Sequence, residues 1–228
     1  LWLVAPWVGL TTLLLGGAIH WGADDLEIAT RRRGTLLWLA ASRGAIPVAG
    51  PMLFASSDVA DVFGALTYEA RVSAEDVQTI GGIWLALAAP GIGVQITQAA
   101  RLSRATGLRS FFEVCVLLAW LAVAPPVLAF TLYFCFWHSV SHSMRSAVLA
   151  RPILGIHATF TRYVRAIMLP TVTTWGIGIV ALVSLDGASL STERTWQLVF
   201  VGLFALTVPH VALEMTVSRS GPTRMSVD

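Results

Sequence analysis

The chain has 228 residues, of which 56% are hydrophobic and 12% are charged, and its mean hydropathy is +0.73. Soluble domains carry about 25% charged residues, so this composition indicates a polytopic membrane protein without a sizeable soluble domain. All fifteen basic residues are arginine, which excludes mechanisms that need a lysine Schiff base. The net charge of +2 is small and scattered, so nucleic acid is not an expected partner.

The apolar stretches predict an all-α, polytopic helical bundle with six or seven spans. A short amphipathic segment, 58–66, is predicted to lie at the interface of the lipid bilayer. One straight helix over 111–142 would be about 48 Å long, more than a hydrocarbon core of about 30 Å, so two helices meeting at Pro125 and Pro126 are predicted. The predicted spans are 2–19, 34–54, 79–97, these two helices, 166–185 and 196–217.

Arginines and acids separate onto opposite sides of this predicted topology. Three loops and the C-terminal tail on one side carry twelve of the fifteen arginines, and the opposite loops carry most of the acids. By the positive-inside rule, the arginine side and the C-terminus should be cytoplasmic in a cell membrane. His20, His138 and His142 then lie at one membrane depth. This common depth requires that two separate helices meet at Pro125 and Pro126.

His138 and His142 are the strongest candidate for a metal site. Their spacing of four residues places both imidazoles on one helix face, with the two Cα atoms about 6 Å apart, close enough to share one metal ion. Histidine within the hydrocarbon layer is costly and usually faces a bundle interior. We therefore interpret the pair as metal ligands with Tyr133 and Trp137 packed around them. A hydrogen-bonded pair near the interface is the alternative.

Two further histidines have weaker local support. His20 is followed by Asp24 and Asp25, whose carboxylates could orient the imidazole or simply end a span at the interface. His210 follows a proline within a span, where it could be a further ligand or could bond a freed carbonyl. His157 lies in an arginine-rich stretch and is interpreted as solvated.

Four motifs together resemble the Brp/Blh-type membrane β-carotene dioxygenases of bacteria and archaea. HWGADD resembles an H-[FW]-G-x-x-D motif, and FWHSVSH resembles a W-H-S-x-x-H block. The stretch from RRRGTLLW to FGAL resembles a G-x-L-P…P-x-x-F…F-x-x-L pattern, and TVPHVALE resembles a late P-H motif. The resemblance implies O₂-dependent cleavage of the central double bond of β-carotene to two retinals, at Fe(II) held by four histidines.

The resemblance assigns three of those four ligands to His20, His138 and His142. The family's first ligand lies in a P-H-G-A-x-D motif on an earlier helix, and this sequence contains no such motif. Because the chain starts at Leu1 and not at methionine, we expect a missing N-terminal helix to carry that ligand. The alternatives are that His210 completes the site or that iron has been lost.

We therefore interpret residues 1–217 as a single transmembrane catalytic domain and residues 218–228 as a polar tail. The expected cofactor is Fe(II), and the expected partners are β-carotene or a related carotenoid, O₂ and the bilayer. Candidate walls of a substrate tunnel are Trp21, Tyr133, Phe136 and Trp137. Two rivals are a non-enzymatic membrane protein, such as a transporter or retinal-protein accessory, and a di-iron desaturase or hydroxylase, which needs more histidines.

Overall fold

The computed structural model of the chain describes residues 4–24, 33–69, 72–149 and 192–219, with isolated positions between 161 and 184. Side chains at 24, 33, 145–149, 206 and 208–219 lie outside this description. All regular structure in the described part is helical, which confirms the all-α prediction. The helices are α1 (Pro6–Asp24), α2 (Arg33–Phe54), α3 (Ser56–Thr67), α4 (Ala74–Leu102), α5 (Arg104–Val123), α6 (Pro126–Leu132), a π-helical segment (Tyr133–His138), α7 (Ser139–Leu149) and α8 (Thr192–Arg219).

Among the described residues, three helices are long and apolar enough to cross a membrane. They are Gly34–Phe54, Ala74–Leu102 and Arg104–Val123. Helix α1 covers residues 6–19 of the predicted span 2–19, and α8 covers the predicted span 196–217, whereas most of 166–185 lies outside the described residues. The total of six or seven spans therefore stays a prediction.

The predicted break at the proline pair is confirmed. Helix α5 ends at Val123, and Ala124 has extended backbone angles of −90° and 145°. Pro125 lies between the helices, and α6 begins at Pro126. A residue that precedes proline is disfavoured in the helical region, and proline itself is tolerated in the first turn of a helix. Local backbone sterics therefore place this boundary.

The chain forms two compact units. One comprises residues 1–126 and 196–228, and the other comprises residues 127–195. In the first unit α2 is the central helix and packs most extensively on α1 and α4. Aromatic side chains of helix α8 pack against a cluster formed by Leu10, Leu13 and Leu66. The division into a catalytic domain and a tail stays a prediction.

Helices α1 and α2 touch through their backbones. A Cβ atom on Gly22 would overlap the carbonyl oxygen of Ala40, and one on Gly44 would overlap that of Ala18. Small residues four apart on both helices are the pattern that lets membrane helices approach closely. Because Ala18 faces Gly44 and Gly22 faces Ala40, the two helices are antiparallel. His20 therefore lies at the level of Ser42.

Helix α4 packs antiparallel along α2. Gly81, near the start of α4, contacts Met52 near the end of α2. Towards the other end of α4, the buried amide of Gln95 donates from Nε2 to the carbonyl oxygen of Leu39 at 2.8 Å. A buried amide needs a hydrogen-bond partner, because leaving it unsatisfied costs about 1–3 kcal/mol. This bond fixes the register of α4 against α2.

A buried charge on α2 is paired with α5. Arg43, whose side chain is 6% exposed, donates from Nη2 to Oε2 of Glu113 at 3.2 Å. The other carboxylate oxygen accepts from Nε of Arg109 at 2.8 Å, and Arg109 is 72% exposed. An ionised group inside an apolar span is costly unless it is paired. The pair therefore holds α2 and α5 together.

We expect Glu113→Gln to lower the free energy of unfolding by about 3 kcal/mol, because it removes the carboxylate that the buried Arg43 binds. Arg109→Gln is the matched control and should cost under about 1 kcal/mol, since that pair is largely solvated. Thermal unfolding in detergent, followed by circular dichroism, measures both variants. Equal losses would mean that the buried pair contributes no more than the exposed one.

Candidate metal centre

The pair His138 and His142 begins where the helix changes type. Residues Tyr133–His138 form a π-helical turn, and the N–H of Ser139 donates to the carbonyl of Phe134, five residues earlier. Such turns are rare and occur frequently at functional sites. In an α-helix, residues five apart would point roughly 140° away from each other. The wider turn instead brings Tyr133 and His138 onto one face.

Rings follow one another along this face. The centroids of His138 and His142 are 5.8 Å apart with planes at 27°. Phe134 lies 5.7 Å from His138, Tyr133 lies 6.5 Å from it, and Phe130 stacks on Phe134 at 5.9 Å. The imidazoles therefore lie next to each other at one end of an aromatic column.

The aromatic residues in and around the pair differ in how far their side chains are exposed. His138 and Tyr133 are each 4% exposed, whereas Phe136 is 71% and Trp137 43% exposed. The ring of Tyr133 stacks on His138 as predicted, and Phe134 makes a second ring contact to it. The packing of Trp137 around the pair stays a prediction. The roles of Tyr133, Phe136 and Trp137 as tunnel walls stay predictions.

His20 lies in the first unit, near the end of α1. Its side chain is buried, as is that of the neighbouring Trp21. The backbone contacts at Gly22 and Gly44 fix this end of α1, and the ion pair of Arg43 lies one residue from the level of His20 on α2. Arg43 is not among the site residues predicted from the sequence. Its partner is 70 residues away, so no local signal could have identified it.

The remaining predicted site residues lie outside the described side chains. Asp24 is the last residue of α1, and Asp25 and His157 are not described. His210 is on α8, but its side chain lies outside the description. Among the residues that the structure describes, no group of three or more His, Cys, Asp or Glu could hold a metal ion. Because His20 and the pair belong to different units, a shared site remains a prediction.

The histidine pair has the chemistry of two metal ligands. Imidazole nitrogens bind Zn²⁺ at about 2.0–2.1 Å and suit iron and copper as well. Two rings whose centroids are 5.8 Å apart can each direct one nitrogen at an ion between them after a small side-chain rotation. His138 is 4% exposed, and the rings of Phe134 and Tyr133 pack against it. The pair therefore has the donor chemistry of two ligands to one metal ion.

The chain is similar in sequence to known proteins. A family model described as Beta-carotene 15,15'-dioxygenase matches residues 1–217. The chain is 28% identical to the beta-carotene 15,15'-dioxygenase of an uncultured marine bacterium, over all of this chain and 78% of that protein. It is 27% identical to the probable beta-carotene 15,15'-dioxygenase Blh of Halobacterium salinarum, over 93% of this chain and 67% of that protein. No solved structure matches the chain.

Proposed function

Because this chain belongs to the beta-carotene 15,15'-dioxygenase family, a family of enzymes, we propose that it cleaves β-carotene at its central double bond with O₂ to give two molecules of retinal. The observation that carries the proposal is the match over residues 1–217, which includes both histidine motifs. The names of the two relatives support a carotenoid as substrate.

We propose Fe(II) as the cofactor, held by His138, His142 and His20 and by a fourth histidine outside this set. The chemistry that iron supplies when bound is the activation of O₂. The protein's own part is to hold the ligands: Phe134 and Tyr133 pack on His138 and fix the plane of its ring. The contact of α1 with α2 holds His20 at a fixed depth.

The protein is proposed to lie in the cell membrane with its arginine-rich side and C-terminus in the cytoplasm. Three apolar helices of spanning length support this location, and the arginine distribution supports the orientation. A bilayer location suits the substrate, because an apolar carotenoid is dissolved among the acyl chains. The enzyme can then take its substrate directly from the membrane.

The whole protein, expressed in cells that make β-carotene, should turn them from orange to pale and cause retinal to accumulate. Chromatography of extracted pigments measures both compounds. A matched strain that expresses the protein with His138→Ala and His142→Ala together should stay orange. Unchanged carotenoid in cells that contain normal amounts of the wild-type protein would contradict the enzymatic proposal.

A further inference from the structure

A cavity lies in the first unit at the end of α1 that is remote from His20. Its volume is about 490 Å³, within the range of small-molecule sites. The apolar part of its wall is formed by Trp7, Met52, Phe63, Val77 and Ile80. None of the site residues predicted from the sequence lines this cavity. A concave, largely apolar space of this size suits a hydrocarbon ring.

The start of α4 forms a well-ordered wall of this cavity. The hydroxyl of Ser73 accepts the N–H of Asp76 at 3.1 Å and caps the helix, and an N-cap of this kind stabilises a helix by about 1 kcal/mol. Trp7, which also lines the cavity, donates from Nε1 to Oε1 of Glu69 at 3.3 Å. This bond links the start of α1 to the segment that follows α3. A hydrogen bond therefore connects two of the segments that surround the cavity.

The position of the cavity along α1 can be estimated from the helix register. Met52 is eight residues beyond Gly44, and Leu10 is eight residues before Ala18, which faces Gly44. In antiparallel helices Met52 therefore lies at the level of Leu10. That level, the end of the cavity nearer to His20, is ten residues from His20, or about 15 Å at 1.5 Å per residue. Trp7, which also lines the cavity, is thirteen residues away, or about 20 Å. Because helical side chains tilt towards the N-terminus, the imidazole lies closer to the cavity than its Cα does.

The dimensions of a carotenoid match this distance. Nine bonds separate the central double bond of β-carotene from its terminal ring, and an extended chain advances about 1.2 Å per bond, which gives about 11 Å. The ring occupies the next few ångströms. A substrate whose central bond lies beside His20 and whose polyene follows α1 would place one ring in the cavity.

We propose that this cavity binds one terminal ring of the carotenoid substrate and so sets which bond lies at the metal centre. The proposal rests on the proposed function and extends it, because it assigns residues that select the end group of the substrate and its position. An enzyme that cuts a long, uniform polyene needs such an end stop, because the conjugated bonds themselves differ little in shape.

Filling the cavity tests the proposal. In the whole protein, Ile80→Trp should weaken binding of β-carotene about tenfold or more, by analogy with the 10–200-fold effect of one methylene in an apolar pocket. Ile83→Trp is the matched control: Ile83 is on the same helix and is 56% exposed, against 54% for Ile80, but it does not line the cavity. Its binding should stay within about twofold of the wild type.

Binding is measured as carotenoid absorbance retained by purified protein in the presence of a metal chelator, so that cleavage is not needed. Ile80→Phe fills less space and should give an intermediate loss, which keeps the test decisive if Ile80→Trp does not fold. Products of the iron-loaded variants are analysed separately, and Ile80→Phe should give some off-centre cleavage.

The outcomes separate the two proposals. Equal binding by the Ile80 and Ile83 variants would overturn the ring site, even if the wild type makes retinal. Wild-type protein that binds β-carotene but makes no retinal when loaded with iron would overturn the proposed function, and the comparison of Ile80 with Ile83 would still decide the ring site. If the wild type retains no carotenoid, the ring site is wrong.

Discussion

His138→Ala and His142→Ala should each abolish iron retention and retinal formation. Both imidazoles lie on one face of the helix with centroids 5.8 Å apart, so losing either one removes half of the donor pair. The loss should exceed the roughly 10–100-fold that removal of a partner outside the ligand shell costs. Iron per purified chain and retinal formed per minute measure the effect.

His157→Ala is the control for this prediction and should be nearly silent. Circular dichroism should show that the three histidine variants keep the helical content of the wild type. Damage by His157→Ala equal to that of the other two variants would mean that the ligand assignment is wrong. Full iron content in either of the pair variants would also contradict it.

Gly44→Ala should be strongly destabilising, by about 3 kcal/mol or more. The added methyl group would overlap the backbone of Ala18, and overpacking against a flexible side chain already costs about 1–3 kcal/mol. A helix backbone cannot rotate aside, so α1 and α2 must separate. Because His20 lies between Ala18 and Gly22 on α1, the variant should also lose iron. Thermal unfolding and metal content provide independent measurements.

Gly16→Ala is the matched control for Gly44→Ala. It adds the same methyl group to α1, but nothing lies within 4 Å of the new atom. Because alanine favours a helix interior over glycine by about 1 kcal/mol, this variant should be neutral or slightly more stable. If the two variants unfold at the same temperature, the backbone contact of α1 with α2 is not important for stability.

The helices were predictable because their signals are local. Apolar runs predicted α2 and α4, and Pro125 with Pro126 predicted the break between α5 and α6. The spacing of His138 and His142 correctly predicted neighbouring rings. Each of these features depends on residues within a few turns of one another, where composition and steric rules are sufficient.

Features that depend on distant residues were not predictable. Nothing near Arg43 identifies Glu113 as its partner, and nothing near Gly22 identifies Gly44 as its contact. The stacking of Tyr133 on His138, five residues later, follows from the π turn. A π turn carries no clear composition signal, because it reflects a balance between backbone geometry and packing. A meeting of His20 with the pair also depends on residues far apart in the sequence, and it stays a prediction.

The π turn also makes this part of the chain unusually sensitive to its length. A turn closed by a bond to the fifth residue contains one more residue than an α-helical turn does. Deleting one residue between Phe134 and Trp137 would let an ordinary helix form with every backbone bond intact, yet it would rotate α6 by roughly 100° relative to the histidines. The rings of the aromatic column would then turn away from the imidazoles, although the segment would remain helical. In this segment, the number of residues determines which side chains share a helix face as much as the identity of those residues does.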